Sequence, residues 1–199
     1  GQWIAFFAGS KLKKISVTGG AAVVLCDVSN PRGGVWGDDG NIVFQPISIN
    51  GGNLLRVSSA GGTPEPLLKL ADGEATQRWP HVLPGGKAVL FTSHKTTGAA
   101  YEDANIVVQV LPNGPRKILQ RGGYYGRYLP SGHVVYIHDG TLFAAPFDVD
   151  RLELTGQAVP ALAGVTSGVI NGASQFSVST TGTLVYVSGQ AAGVEAPIS

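Results

Sequence analysis

Tyr125-Gly-Arg-Tyr-Leu-Pro-Ser-Gly-His-Val-Val-Tyr136 sets two short runs of aromatic and branched residues on either side of a tight turn that ends at Gly132. A reversing hairpin needs positive φ, which glycine supplies without steric penalty, and the branched run after it is suited to a pleated, packed strand. The same arrangement occurs five times, as Gly1-Gln-Trp-Ile-Ala-Phe6, Gly40-Asn-Ile-Val-Phe44, Gly86-Lys-Ala-Val-Leu-Phe91, Gly132-His-Val-Val-Tyr136 and Gly182-Thr-Leu-Val-Tyr186. Successive glycines lie 39, 46, 46 and 50 residues apart, the period of a four-stranded propeller blade.

Working outward, a strand precedes four of these glycines, at 34–36, 79–83, 125–129 and 175–178. A third strand follows at 12–17, 54–58, 106–110 and 142–147, and a fourth at 22–25, 66–70, 116–119 and 159–162. One such unit cannot bury both faces of its sheet alone, so the units must stack, and radial stacking is the usual solution at this period. The sequence therefore predicts an all-β propeller of four-stranded antiparallel blades, with about four to five blade repeats over residues 1–188 and a loose tail over 189–199. Phe44, Phe91, Tyr136 and Tyr186 are the predicted core between sheets.

The repeats are out of phase with whole blades, because the first copy lacks its opening strand and the last has only its first two. Two closures follow. Strand 175–178 could pair beside 3–7 and close a ring of four blades, or the chain is an arc of a six-bladed propeller. The arc is preferred, and its unpaired edges predict self-association.

Composition agrees with this class. The 29 Gly and 12 Pro are dispersed among branched and aromatic residues, and no apolar helical period persists over three turns. The nearest approach, residues 66–77, is interrupted by Gly73. Lys and Arg number 14 against 13 Asp and Glu, which argues against a nucleic-acid surface. No window approaches 18 apolar residues, so this segment is not expected to insert in a membrane. The start at Gly1, without initiator Met or leader pattern, reads as cut. Cys26, in the apolar run 21–26, reads as a buried small hydrophobe.

Trp36-Gly-Asp-Asp-Gly40, Leu83-Pro-Gly-Gly-Lys87 and Leu129-Pro-Ser-Gly132 resemble variants of the W-S-P-D-G-K turn of TolB-like, WD40-like propellers. More narrowly, Gly9-Ser-Lys-Leu-Lys-Lys-Ile15, Asp139-Gly-Thr-Leu-Phe-Ala-Ala-Pro-Phe-Asp148 and Arg151-Leu-Glu-Leu-Thr-Gly156 are similar to the propeller that follows the transmembrane helix in bacterial eukaryotic-like Ser/Thr kinases. The resemblance implies an extracytoplasmic (periplasmic or cell-surface) sensor or interaction module with no catalytic residues to carry over. No kinase motif and no membrane helix occur in this chain.

Catalytic patterns fail on context. Ser10-Lys11-Leu12-Lys13 has S-x-x-K spacing, but that motif needs a helix, where residues three apart share a face. The segments 164–168 and 172–174 likewise lack the strand-to-helix elbow of serine hydrolases. His81, His94, His133 and His138 have no metal-ligand spacing, and Asp38-Asp39, Glu102-Asp103 and Asp148 with Asp150 read as turn formers, so no metal and no cofactor are expected. Binding is better supported. Arg78, Trp79, His81, Tyr124, Tyr125, Arg127 and Gln175 lie on or just before the innermost strands, near the channel mouth, with His81 and Arg127 at the same distance from their turn glycines. The expectation is a non-catalytic module binding a protein or small ligand, and the alternative is an esterase- or lactonase-like hydrolase with its site in the channel.

Overall fold

A computed structural model describes residues 1–46, 52–97 and 100–189. The expected tail therefore lies, from residue 190 onward, outside the described residues. Among the described residues twenty strands run in order: β1 Trp3–Phe7, β2 Lys11–Ser16, β3 Val23–Asp27, β4 Gly34–Trp36, β5 Asn41–Phe44, β6 Leu55–Ser58, β7 Glu65–Pro66, β8 Thr76–Val82, β9 Ala88–His94 and β10 Asn105–Val110. They continue with β11 Arg116–Arg121, β12 Tyr124–Leu129, β13 His133–His138, β14 Thr141–Asp148, β15 Glu153–Leu154, β16 Val159–Leu162, β17 Ser167–Gly168, β18 Ala173–Ser174, β19 Phe176–Val178 and β20 Leu184–Tyr186. Two 3-10 turns, Pro84–Gly86 and Tyr101–Asp103, are the helical structure among the described residues.

The strands form sheets in sequence order: β1-β2-β3, β4-β5-β6-β7, β8-β9-β10-β11, β12-β13-β14 with β15 and β16 both on β14, the short pair β17-β18, and β19-β20. This is a partial propeller. Gly40, Gly86, Gly132 and Gly182 sit at the same turn, each with φ between the 69° of Gly86 and the 88° of Gly182. Each donates its N–H to the carbonyl three residues back, on Gly37, Leu83, Leu129 and Ser179. β1-β2-β3 and β19-β20 are separate sheets, so strand 175–178 is not paired beside 3–7 and the closure of a four-blade ring by that pairing is not seen.

The core lies between blades. Alternate residues of one strand serve different neighbours: Val89 and Phe91 pack with Val43 and Leu54 of the preceding blade, while Leu90 packs with Val134 and Tyr136 of the next. Cys26 is buried with Leu12, Ile42 and Phe44, and burial pushes its thiol above the usual range. Phe44, Phe91 and Tyr136 are buried as expected, but Tyr186 is 43% exposed. The reason is local: β20 has only β19 as a paired neighbour, so the outward face of Tyr186 meets no further blade.

Phe91 is fully enclosed, so Phe91→Ala should lower the unfolding free energy by about 3–5 kcal/mol. The exposed Tyr186→Ala should change it by less than about 0.5 kcal/mol, both measured by urea denaturation.

Candidate functional site

Four innermost strands, β4, β8, β12 and β19, converge on the candidate site, and a repeated bulge shapes it. The pairing of β8 with β9 skips between Arg78 and His81, and that of β12 with β13 skips between Tyr124 and Arg127. At the skips, Trp79 and Tyr125 adopt φ of 55° and 59°, a left-handed conformation that costs a non-glycine residue roughly 1–2 kcal/mol. Gly33, at the equivalent distance before its own turn glycine, has φ 87°. The bulge turns each backbone N–H out of its own ladder and toward the previous blade. Trp79 N–H donates to the Arg32 carbonyl at 2.9 Å, and Tyr125 N–H to Thr92 Oγ1 at 2.9 Å. A Cβ on Gly33 would lie 2.6 Å from Cε3 of Trp79, so the glycine makes room for that indole.

The bulged rings form a row from blade to blade. Trp79 and Tyr125 are tilted at a centroid separation of 5.4 Å, and Tyr125 meets Phe176 edge-on at 5.3 Å. Arg127 lies 3.9 Å over the Tyr125 ring and donates from Nη1 to the carbonyls of Trp79 and Gly126, at 2.9 and 2.8 Å. Burial lowers its pKa below the ordinary guanidinium range, yet no carboxylate lies within 4.0 Å of it among the described residues. His81 is pushed down to about 4, first by burial and then by the charge of Arg127.

Of the expected set, Trp79, His81, Tyr125 and Arg127 come together. Arg78 does not join them. It is 1% exposed, with its guanidinium 4.5 Å over Tyr101 and donating to Thr76 Oγ1 and to the carbonyls of Asn171 and Thr97. It clasps the segment before β18 to the third blade. Tyr124 is enclosed as well, donating from its hydroxyl to Ser167 Oγ at 2.9 Å, and burial pushes it up to about 12. Gln175 is exposed, and its backbone N–H and carbonyl bond Thr166 and Val187, so it frames the last hairpin rather than lining the cavity.

Two recesses that share His81, Tyr128 and Val178 in their walls open between the inner strands. The larger, of about 450 Å3, is walled by Trp36, His81, Tyr128 and Val178, with the exposed turn residue Asp38 contributing its one carboxylate. The smaller, of about 260 Å3, adds Tyr125, Arg127, Phe176 and Ser177. Tyr128, Phe176 and Ser177 escaped the sequence reading; Ser177 alone could have been found, since it stands five residues before Gly182 as His81 and Arg127 do before Gly86 and Gly132. The catalytic patterns find no support: Ser10 sits in a left-handed turn before β2, and His94 is buried against Asp103 and the Thr96 carbonyl.

No protein-family model matches this sequence, and no curated protein does. Among solved structures, TolB from Acinetobacter baumannii matches at TM-score 0.66 and 16% identity over 92% of this chain and 44% of its own length. A TolB-type protein from Agrobacterium tumefaciens matches at 0.69 and 15%, over 98% and 69%. Regucalcin, a calcium-binding protein from the same organism, matches at 0.61 and 13%, over 90% and 60%. At these identities the likeness shows a fold alone, the β-propeller, and this chain spans 44% of the length of the first of these structures.

His81 binds its proton more weakly folded than unfolded, so the unfolded chain gains a proton first. Stability should fall as pH drops from about 6.5 to about 4, by on the order of 3 kcal/mol from this group. Urea unfolding at several pH values should show a shallower acid decline in His81→Gln.

Proposed function

We propose that this chain is a non-catalytic binding module of a larger propeller, and that its inner cavity takes a ligand bearing a carboxylate. The observation that carries this reading is Arg127. Its guanidinium borders a recess, is stripped of much of its water and has no carboxylate partner among the described residues. A partly buried cation whose partners among the described residues are two carbonyls and the Tyr125 side chain is poorly compensated, and an incoming anion would complete it. Tyr128, Tyr125 and Phe176 offer apolar walls for the body of such a ligand.

The hydrolase alternative has less behind it. His81 has no side-chain hydrogen bond among the described residues to orient it, and a pKa of about 4 makes it a weak base at neutral pH. The stretches similar to kinase-linked propellers support an extracytoplasmic sensing role for the module. No helix among the described residues is long and apolar enough to cross a membrane.

Succinate and citrate should raise the melting temperature of the protein at pH 7, and Arg127→Gln should abolish the shift while His81→Gln weakens it. No shift with either compound, together with His81-dependent hydrolysis of p-nitrophenyl acetate, would favour the hydrolase. We also propose that a second copy covers the exposed apolar residues Trp3, Ile4, Leu184 and Val185. Light scattering should then show more than one chain per particle, and deletion of residues 182–199 should reduce it; a monomer at every concentration overturns this.

A further inference from the structure

We propose that Glu102, His138 and Asp139 form a binding site for a first-row divalent cation of the Zn2+ type. One ring nitrogen of His138 and one carboxylate oxygen from each acid all lie within 4.8 Å of one another. The sequence reading kept these residues apart, because 36 positions separate Glu102 from His138. The fold joins them across two blades, at the end of β13 opposite the Gly132 turn.

Their backbones are held firmly. Glu102 belongs to the 3-10 turn that seats Tyr101 in the core, where Tyr101 N–H donates to the Val169 carbonyl at 2.8 Å. Gly123 N–H then donates to the Glu102 carbonyl at 3.0 Å. His138 ends β13 opposite Thr141, and Asp139 with Gly140 makes the two-residue reversal between them, at φ 45° and 65°. Neighbouring residues on a straight strand face opposite ways, but here the reversal lets both side chains approach Glu102. Asp139 N–H seals the corner by donating to Glu102 Oε2 at 2.9 Å.

The charge balance asks for a cation. Among the described residues no Lys or Arg lies within 4.0 Å of either carboxylate, and each has His138 as its ion-pair neighbour. Nδ1 of His138 is 3.1 Å from Glu102 Oε2, and Nε2 is 3.7 Å from Asp139 Oδ2. The Nδ1 atom is shielded from solvent and makes no well-directed hydrogen bond, with Glu102 Oε2 as its facing group. One imidazole with two carboxylates suits Zn2+ and its neighbours, whereas Ca2+ prefers six to eight oxygens. Bonds of about 2.0–2.2 Å would draw the donors closer than they stand. Asp139, with 80% of its side chain exposed, has the freedom to swing in.

Calorimetric titration of chelator-treated protein with Zn2+, and with Ca2+ in parallel, tests the site. One Zn2+ per chain is expected, with Kd raised about tenfold or more in Glu102→Gln, in His138→Gln and in Asp139→Asn, and with little heat from Ca2+. Asn tolerates the left-handed turn at 139, so that variant stays folded, as circular dichroism will verify. His133→Gln, which alters a histidine outside the cluster, should leave Kd unchanged. Absence of Zn2+ binding, uptake that survives Glu102→Gln, or an equal loss in His133→Gln would overturn the assignment.

Discussion

In strand β9 all seven residues are buried, because its odd and even side chains are claimed by different neighbours, and that two-sided claim is the constraint on which the structure rests. Phe91 and Val89 fill the contact with the preceding blade, and Leu90 fills the contact with the following one. A four-stranded sheet with two apolar faces cannot hold itself together in water; each blade is stable only as the lining of the next. Where that lining is missing, exposure appears at once, as in Trp3 and Ile4 at one end and Leu184 to Val187 at the other.

The candidate cavity is a by-product of the same stacking. Blades drawn together leave their innermost strands facing one another, and the bulges at Trp79 and Tyr125 convert those strands from closed ladders into connectors. Each bulge aims a backbone N–H at the previous blade, and Arg127 then reaches back to the Trp79 carbonyl. The left-handed backbone at two aromatic residues is offset by these bonds and by ring contacts along the row. The candidate cavity and blade cohesion therefore share residues, and a substitution at Tyr125 would disturb both.

Much of the candidate site was visible in the sequence because it lies on strands whose phase is counted from a glycine. His81 and Arg127 are five residues before Gly86 and Gly132, and the structure places both at the cavity. A count of seven places Gln175 level with Trp79 and Tyr125, but Gln175 lacks the positive φ that those two residues share, and it does not reach the cavity. Arg78 has the right neighbourhood but is captured by Asn171 and Thr97, carbonyls on distant segments that no spacing rule connects to it.

What the sequence determined by itself was the order of strands and turns, since a glycine that needs positive φ and a branched run that needs a pleat act over a few residues. Gly40, Gly86, Gly132 and Gly182 are local statements, and they hold. The tertiary structure alone decided which side of a strand has a neighbour, and hence that Tyr186 is exposed while Tyr136 is not. It also decided that Glu102 meets His138 and Asp139. Proximity across two blades depends on how sheets twist and stack over dozens of residues, and the identities of the three side chains carry no record of that distance.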